Sequence, residues 1–333
     1  MRRAERLIST GSEKYGWIQA AQAALELAHG SAPAISGDGF PIIQAALSTA
    51  DFPEIVESTV QGISEARRSE QLSDILAVTR DTVLANYRAT SFAMVDMREL
   101  PTPSADGMNR FHFATVSSTG EEIRVFSTFV KFLVTRQILT GDDRSFVPAA
   151  INAFAAAAHR NEVSKIAALL ESTVNLSDGA PLFGSDNALT GTALDAAGMG
   201  AAFGKLRQQP TETGAKSGAQ PFAVVVHPDD EYAALALTEN LPQGRRPRVV
   251  VLPDLSDSDD YFVIGAPATH PVINRSRLDG SDVSCLRFGA FEPASRLIEN
   301  GKVESYPGLA LPATHSVGLS VVSRVGAVRV SKS

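Results

Sequence analysis

Between Ser91 and Asn175 the chain sets a long β-patterned stretch directly before a long alanine-rich helical stretch. Phe92, Met94 and Met97 lead into a loop marked by Pro101, Pro103 and Gly107. Arg110 to Val116 alternates, with Phe111 and Phe113 on one face and His112, Ala114 and Val116 on the other. Ser117 to Gly120 reads as a turn. Glu122 to Val134, rich in β-branched and aromatic residues, reads as the return strand. Asp142-Asp143-Arg144-Ser145 then supplies a cap for a helix over Phe146 to Asn175. In that helix Val147, Ile151, Phe154, Ala158, Ile166 and Leu170 recur near three- and four-residue spacing. A long hairpin with few charges is an aggregation hazard on a monomer, and a partner that covers it removes the hazard. Obligate assembly is therefore expected. No catalytic constellation lies on the stretch.

Bulk properties narrow the choice. With 333 residues, 44% apolar and 20% charged, the chain is globular and long enough for one large domain or two ordinary ones. A net charge of −7 argues against a protein that coats nucleic acid by itself. Cys285 is the single cysteine, which excludes an intrachain disulfide and any site built from several thiolates; a reducing compartment fits. Met1-Arg2-Arg3 is not followed by an apolar run, so no secretory signal is expected. Nowhere do eighteen apolar residues follow one another, so a soluble, intracellular protein is expected.

Along the rest of the chain, Glu13 to His29 has helical spacing, and Gly30 to Pro41 reads as a linker. A helix is expected to open at Pro53, with Asp51 or Thr49 as its cap. Ile75 to Tyr87 is apolar and fits either helix or strand. A further helix is expected over Leu194 to Gln208, then a polar loop over Gln209 to Gln220. Phe222 to Val226, Arg248 to Leu252 and Tyr261 to Ile264 read as buried strands, with a helix from Asp229 to Leu237. That order implies a compact α/β subdomain from about Thr190 to Asp282. The tail reads as strands over Leu286 to Phe291, Leu297 to Tyr306 and Val317 to Val330, expected to return beside the long helix.

Several motifs invite a chemical reading. His227-Pro228-Asp229-Asp230-Glu231 after a strand resembles the zinc motif of sugar-amide deacetylases, in which the histidine and second aspartate hold the metal and the first aspartate is the base. The competing reading is a helix start with proline and acidic residues in its first turn. That reading is favoured, because His270 and His315, the only later histidines, sit in no ligand cluster. Gly198-Met199-Gly200-Ala201-Ala202-Phe203-Gly204 mimics a dinucleotide loop, but its third glycine is one place late and no strand precedes it, so helix packing is expected. Asp254 to Asp260 lacks the glycine and glutamate of a calcium loop and reads as a solvated acidic loop. His112 reads as a surface or interface residue, His159 as a packed helical residue, and Cys285 as a small buried apolar one.

Four places carry a resemblance to a known family. They are Thr49-Ala50-Asp51-Phe52-Pro53, the run Val134-Thr135-Arg136-Gln137-Ile138-Leu139-Thr140-Gly141-Asp142-Asp143, the passage Pro181-Leu182-Phe183-Gly184-Ser185-Asp186-Asn187, and the order of elements from there to the end. In these the chain resembles tailed-bacteriophage major capsid proteins, of the branch encoded with a prohead protease and akin to the Mu-type major head subunit. The resemblance implies an α+β fold: an N-terminal arm or leader over 1–47, a peripheral domain with a long spine helix over 48–92, 127–189 and 283–333, an extended β-hairpin loop over 93–126, and an axial α/β domain over 190–282. It implies a structural subunit of an icosahedral shell enclosing phage DNA, placed in the virion capsid and assembled in the host cytoplasm. It implies no enzymatic activity, no cofactor, no metal and no membrane. Its partners would be copies of itself in pentamers and hexamers, a portal, a scaffold, a prohead protease and DNA held without sequence preference. Some relatives lock their shells through an extended-loop lysine. No lysine lies between Phe92 and Val130, so no such crosslink is expected. The alternatives are the zinc-dependent amide deacetylase built on His227 and Asp230, and a shell of the same fold around protein cargo.

Overall fold

A computed structural model describes residues 21, 25, 74–95, 116–135, 146–173, 175–211, 214–279, 285–288, 292–297 and 303–332. Ala21 and Leu25 are helical and buried, within the helix expected over Glu13 to His29; the other expected features before residue 74, the loop from Met97 to Gly107, the strand start at Arg110, His112 and the cap at Asp142 to Ser145 lie outside these residues. The described elements are β1 (Thr79–Leu84), β2 (Thr90–Val95), β3 (Val116–Ile123), β4 (Phe126–Thr135), α1 (Phe146–Leu170), β5 (Ala188–Leu189), α2 (Ala196–Gln208), β6 (Pro221–Val226), α3 (Glu231–Glu239), β7 (Arg248–Val251), β8 (Asp260–Gly265), β9 (Ile273–Leu278), β10 (Leu286–Phe288), β11 (Glu292–Leu297), β12 (Val303–Val321) and β13 (Ala327–Ser331). They fall into two compact units. One comprises 1–70, 127–158 and 281–316; the other comprises 71–126, 159–280 and 317–333.

The second unit is built on a five-stranded sheet in the order β5-β13-β8-β6-β7. β6 and β7 are parallel, with α3 in the crossover between them, and β8 lies antiparallel to β6. The continuous apolar run Ala223-Val224-Val225-Val226 forms a central strand because both of its faces are covered. Val224 and Val226 pack with Ala202 and Leu206 of α2 and Ala234 of α3. Ala223 and Val225 pack with Ile166, Ala167 and Leu170 of α1 and with Leu182. Alternation along one strand thus divides a single apolar run between two cores. In the same unit β1 lies parallel to β9, and β9 antiparallel to the last residues of β12.

In the other unit β12 runs antiparallel to β10 and β11 and pairs with β4. Phe132 of β4 meets Phe154 of α1 edge to face, with ring centroids 5.9 Å apart, and the Ser127 and Ser316 hydroxyls lie 2.7 Å apart.

Several expectations need correction. The signal at Ser117 to Gly120 is not a reverse turn: these residues lie inside β3, whose partner is β2. The register passes from Ser91↔Glu122 to Ala93↔Ser118, so a bulge centred on Gly120 faces Phe92. Gly120 has φ +76°, and a Cβ there would lie 2.8 Å from Ser177 Oγ. The glycine serves a bulge and a close approach, not a hairpin tip. The expected return strand is broken at Arg124-Val125, and β4 joins β12 instead of β3. α1 ends at Leu170, short of the expected Asn175, where Ser172 and Thr173 favour local hydrogen bonding over helix. Ala158 faces the core, whereas its neighbour Ala157 is exposed. Residues 74–78 are helical and Thr79 begins β1, which resolves the ambiguous stretch. The final tail stretch is two strands: β12 ends at Val321, and β13 enters the five-stranded sheet antiparallel to β8.

Candidate assembly surface

His227 precedes the short 3-10 turn Pro228–Asp230, and its Nδ1 accepts from the Asp229 N–H at 3.3 Å. Asp230 is taken by Lys332, whose Nζ donates to its carboxylate at 2.5 Å and to the Ser258 carbonyl at 2.7 Å. The second aspartate of the motif therefore secures the C-terminal segment, with an ammonium where a deacetylase would need a metal. Among the described residues no three His, Cys, Asp or Glu side chains converge as a metal site. The turn-and-helix reading of the motif is the one observed.

Gly198 to Gly204 lie within α2, capped by Asp195, whose carboxylate accepts from the Gly198 N–H at 2.7 Å. A Cβ on Gly198 would sit 2.1 Å from the Ala193 carbonyl oxygen, so this glycine permits a close packing contact. The acidic loop is only partly solvated. Asp260 is buried, and its Oδ2 accepts from the Arg329 guanidinium. His270 is half-buried, and that burial lowers its pKa. His159 is likewise half-buried on α1, and His315 is buried on β12, opposite Leu286. Cys285 is buried as expected, but in a left-handed backbone conformation, φ 57°, that the sequence did not signal.

The passage Pro181 to Asn187 has a clear structural purpose. Buried Asn187 donates from Nδ2 to the Leu182 carbonyl at 2.8 Å and accepts the Gly184 N–H at 2.7 Å. Its own carbonyl accepts the Arg329 N–H of β13 at 2.9 Å. Beside it Arg324 donates to Asp178 at 2.8 Å, and that guanidinium holds the Asp178 carboxyl below the usual carboxylate range, with the Ala180 N–H adding to the effect. The same segment anchors the β2–β3 pair: Glu121 Oε1 accepts the Ser177 N–H at 2.6 Å, next to the Gly120 contact.

Sequence reasoning missed one buried cluster. Arg275, fully buried on β9, donates to Glu162 of α1 through Nε at 2.8 Å and Nη2 at 3.2 Å, and to Asp81 of β1 through Nη1 at 3.1 Å. Asp81 also accepts from Arg277 Nε at 2.7 Å. The available signal was Glu162, a charge in phase with Ala158 and Ile166 on the buried stripe of α1. A charge so placed needs a partner, but its identity lies 113 residues away.

The open apolar surface is concentrated on β4. Phe132 and Val134 turn inward, whereas Phe129 is 75% exposed and Leu133 45%. Phe126 and Val130 are exposed as well. Large apolar side chains exposed together on one strand mark a contact surface. Among the described residues no helix is long and apolar enough to cross a membrane. β4 thus leaves apolar strand surface open to a partner.

Comparison with known proteins identifies the class. The family model described as phage capsid protein matches residues 126–310, more than half of the chain, and the chain belongs to that family. It is a major capsid shell protein of mixed helix-and-sheet fold, placed in the virion capsid. Among solved structures it is similar to a phage-related protein from Bordetella bronchiseptica, at 8% identity and TM-score 0.50, covering 82% of this chain and 96% of that one. It is also similar to a virus-like particle from Pyrococcus furiosus, at 14% identity and TM-score 0.48, covering 85% and 100%. The capsid of cyanophage P-SCSP1u is similar at 11% identity and TM-score 0.41, covering 76% and 86%. At such identities the likeness is one of fold. No curated protein sequence matches significantly.

Proposed function

We propose that this capsid protein is of the Mu-type, prohead-protease-associated branch, and that it closes an icosahedral shell around phage DNA through pentamers and hexamers. Residues 93–126 act as the extended loop reaching over a neighbouring copy. Residues 190–282 act as the axial domain, and 48–92, 127–189 and 283–333 as the peripheral domain with α1 as its spine. Residues 1–47 are the arm or leader. A portal, a scaffold and a prohead protease complete the assembly, in the host cytoplasm.

The observation that carries this reading is β4. It is a strand that leaves Phe126, Phe129, Val130 and Leu133 open, in a chain of the phage capsid family. Burying such side chains against a neighbour contributes roughly 25 cal/mol per Å² of apolar area. With no lysine between Phe92 and Val130, cohesion of the shell rests on buried area and not on a bond from the loop. The Mu-type assignment rests on the passages quoted from the sequence. Excising residues 97–115 tests the loop's role. The expected outcome is a folded monomer or capsomer that forms no closed shells in electron micrographs; normal particles would refute the role.

A further inference from the structure

The β2–β3 ribbon is held at its root by apolar packing. Phe92 of β2, Ile123 of β3 and the adjoining Val125 are buried together with Leu84 of β1 and with Val322, which follows β12. The Arg80 guanidinium lies over the Phe92 ring, 5.4 Å from its centroid. Gly318 of β12 lets the strand pass close to this root, since a Cβ there would run into the Arg124 carbonyl. At the bulge the ribbon has a further, polar attachment. The chain doubles back between Asn175 and Pro181, which form an antiparallel bridge. Inside that bridge the Leu176 N–H donates to the Ala180 carbonyl at 2.9 Å and the Gly179 N–H to the Leu176 carbonyl at 2.8 Å. The tip of this turn meets the bulge: the Ser177 N–H donates to Glu121 Oε1 at 2.6 Å, and Gly120 leaves room for the Ser177 hydroxyl. The tip is itself braced. Asp178 Oδ1 accepts the Ala180 N–H at 3.0 Å and Arg324 Nη2 at 2.8 Å, and Arg324 also donates to the Ala180 carbonyl at 3.2 Å. The Arg324 carbonyl in turn accepts from Asn187 Nδ2 at 3.3 Å. Glu121 thus ties the ribbon to a stiffened turn.

We propose that Glu121 is a positioning residue for shell formation: its hydrogen bond to the Ser177 amide, beside Gly120, is a strut that sets the direction in which residues 93–126 leave the body. The inference rests on the reading of those residues as the extended loop. Apolar packing is non-directional, so a ribbon held by its root alone can pivot there. A hydrogen bond is directional, and one accepted by a carboxylate is of the stronger kind. Gly120 and Arg124 are four residues apart, about 13 Å along an extended strand, so root and strut together define a line. A small rotation at the root becomes a large displacement at the far end of the ribbon. The strut therefore governs where the ribbon lands, and with it the curvature and diameter of the closed particle.

The test uses the full-length protein and four variants: Glu121→Ala, Glu121→Gln, Gly120→Ala and Gly120→Ala/Ser177→Gly. The readouts are amide hydrogen exchange, thermal unfolding and the distribution of particle diameters in electron micrographs. Glu121→Ala should speed exchange of the Ser177 amide by roughly ten-fold and reduce the share of particles with the wild-type diameter by a similar factor. Its thermal unfolding should match the wild type, because the root packing is untouched. Glu121→Gln keeps an acceptor oxygen at the same place and should restore both readouts. Gly120→Ala should also shift the diameters, by driving a methyl group into the Ser177 hydroxyl, and adding Ser177→Gly should bring part of them back. The left-handed strain at position 120 is common to these two proteins, so the difference between them isolates the collision. Wild-type diameters in Glu121→Ala, or a Gln variant as defective as the Ala variant, would overturn the strut. Should Glu121→Ala fail to fold, identical diameters for the two Gly120 proteins overturn it. The loop reading fails separately, through normal particles after excision of residues 97–115; shells lost on that excision but normal in Glu121→Ala would sink the strut alone.

Discussion

Strands β6 and β4 are both apolar and both mid-chain, but they meet different fates. In β6 every residue from Ala223 to Val226 is buried, and alternate side chains serve cores on opposite faces of the sheet. In β4 alternation also operates, yet only Phe132 and Val134 turn inward, and Phe129 and Leu133 stay open. Apolarity in β6 is consumed by folding. In β4 a large part of it is left for association. A capsid subunit needs both kinds of strand: one that makes the single chain stable, and one that becomes stable only in company.

That contrast can be broken most directly by placing a charge in each strand. Val225→Asp puts a carboxylate among Phe262, Ile264 and Leu170, and is expected to remove about 4–5 kcal/mol or more, so that little folded protein is recovered. Phe129→Asp should leave chemical unfolding within about 0.5 kcal/mol of the wild type while particle formation fails. Equal unfolding of the two variants would dissolve the distinction. The next largest effect concerns the buried ion cluster. Arg275→Ala leaves Glu162 and Asp81 without their guanidinium and should cost about 3–5 kcal/mol in denaturant unfolding, whereas Arg275→Met should cost much less in a Glu162→Gln background. A small loss in Arg275→Ala would show that the cluster is not needed for folding.

The smallest effect is a titration. Burial, with Asp195 adding to it, pushes the Tyr261 phenol up to about 12. The folded state therefore holds this proton more tightly than the unfolded chain, whose phenol titrates near 10. Stability tied to Tyr261 is complete below about pH 10 and is lost as pH rises towards 12. Tyr261→Phe should flatten the fall in melting temperature across that window. Its contact with the Ala193 carbonyl, at 3.5 Å, is long enough that little stability is lost at neutral pH. An unchanged alkaline profile would remove Tyr261 as the cause.

Much of the α/β sheet was legible in the sequence. Phe222 to Val226, Arg248 to Leu252 and Tyr261 to Ile264 are short apolar runs between turn signals, and each forms a strand within a residue or two of its expected bounds. The helix expected over Leu194 to Gln208 begins two residues later, where Asp195 caps it. For the motif at His227 the sequence favoured a turn and a helix, and it could not foresee that Lys332 would occupy Asp230. The capsid family was reached from short passages read in order. One of them, Pro181 to Asn187, proves to be a hydrogen-bonded hub around Asn187.

The sequence by itself determined which segments are apolar, at what period, and where helices are stopped, because these are local properties of side chains and backbone. Only the tertiary structure decided which strand pairs with which, that β3 turns to β2 and β4 to β12, that β13 closes the five-stranded sheet, and that Glu162 meets Arg275. The physical reason is that pairing and charge compensation act between residues distant in the chain. A turn-like sequence such as Ser117 to Gly120 names a permitted backbone shape, and the partner across the sheet chooses how that shape is used.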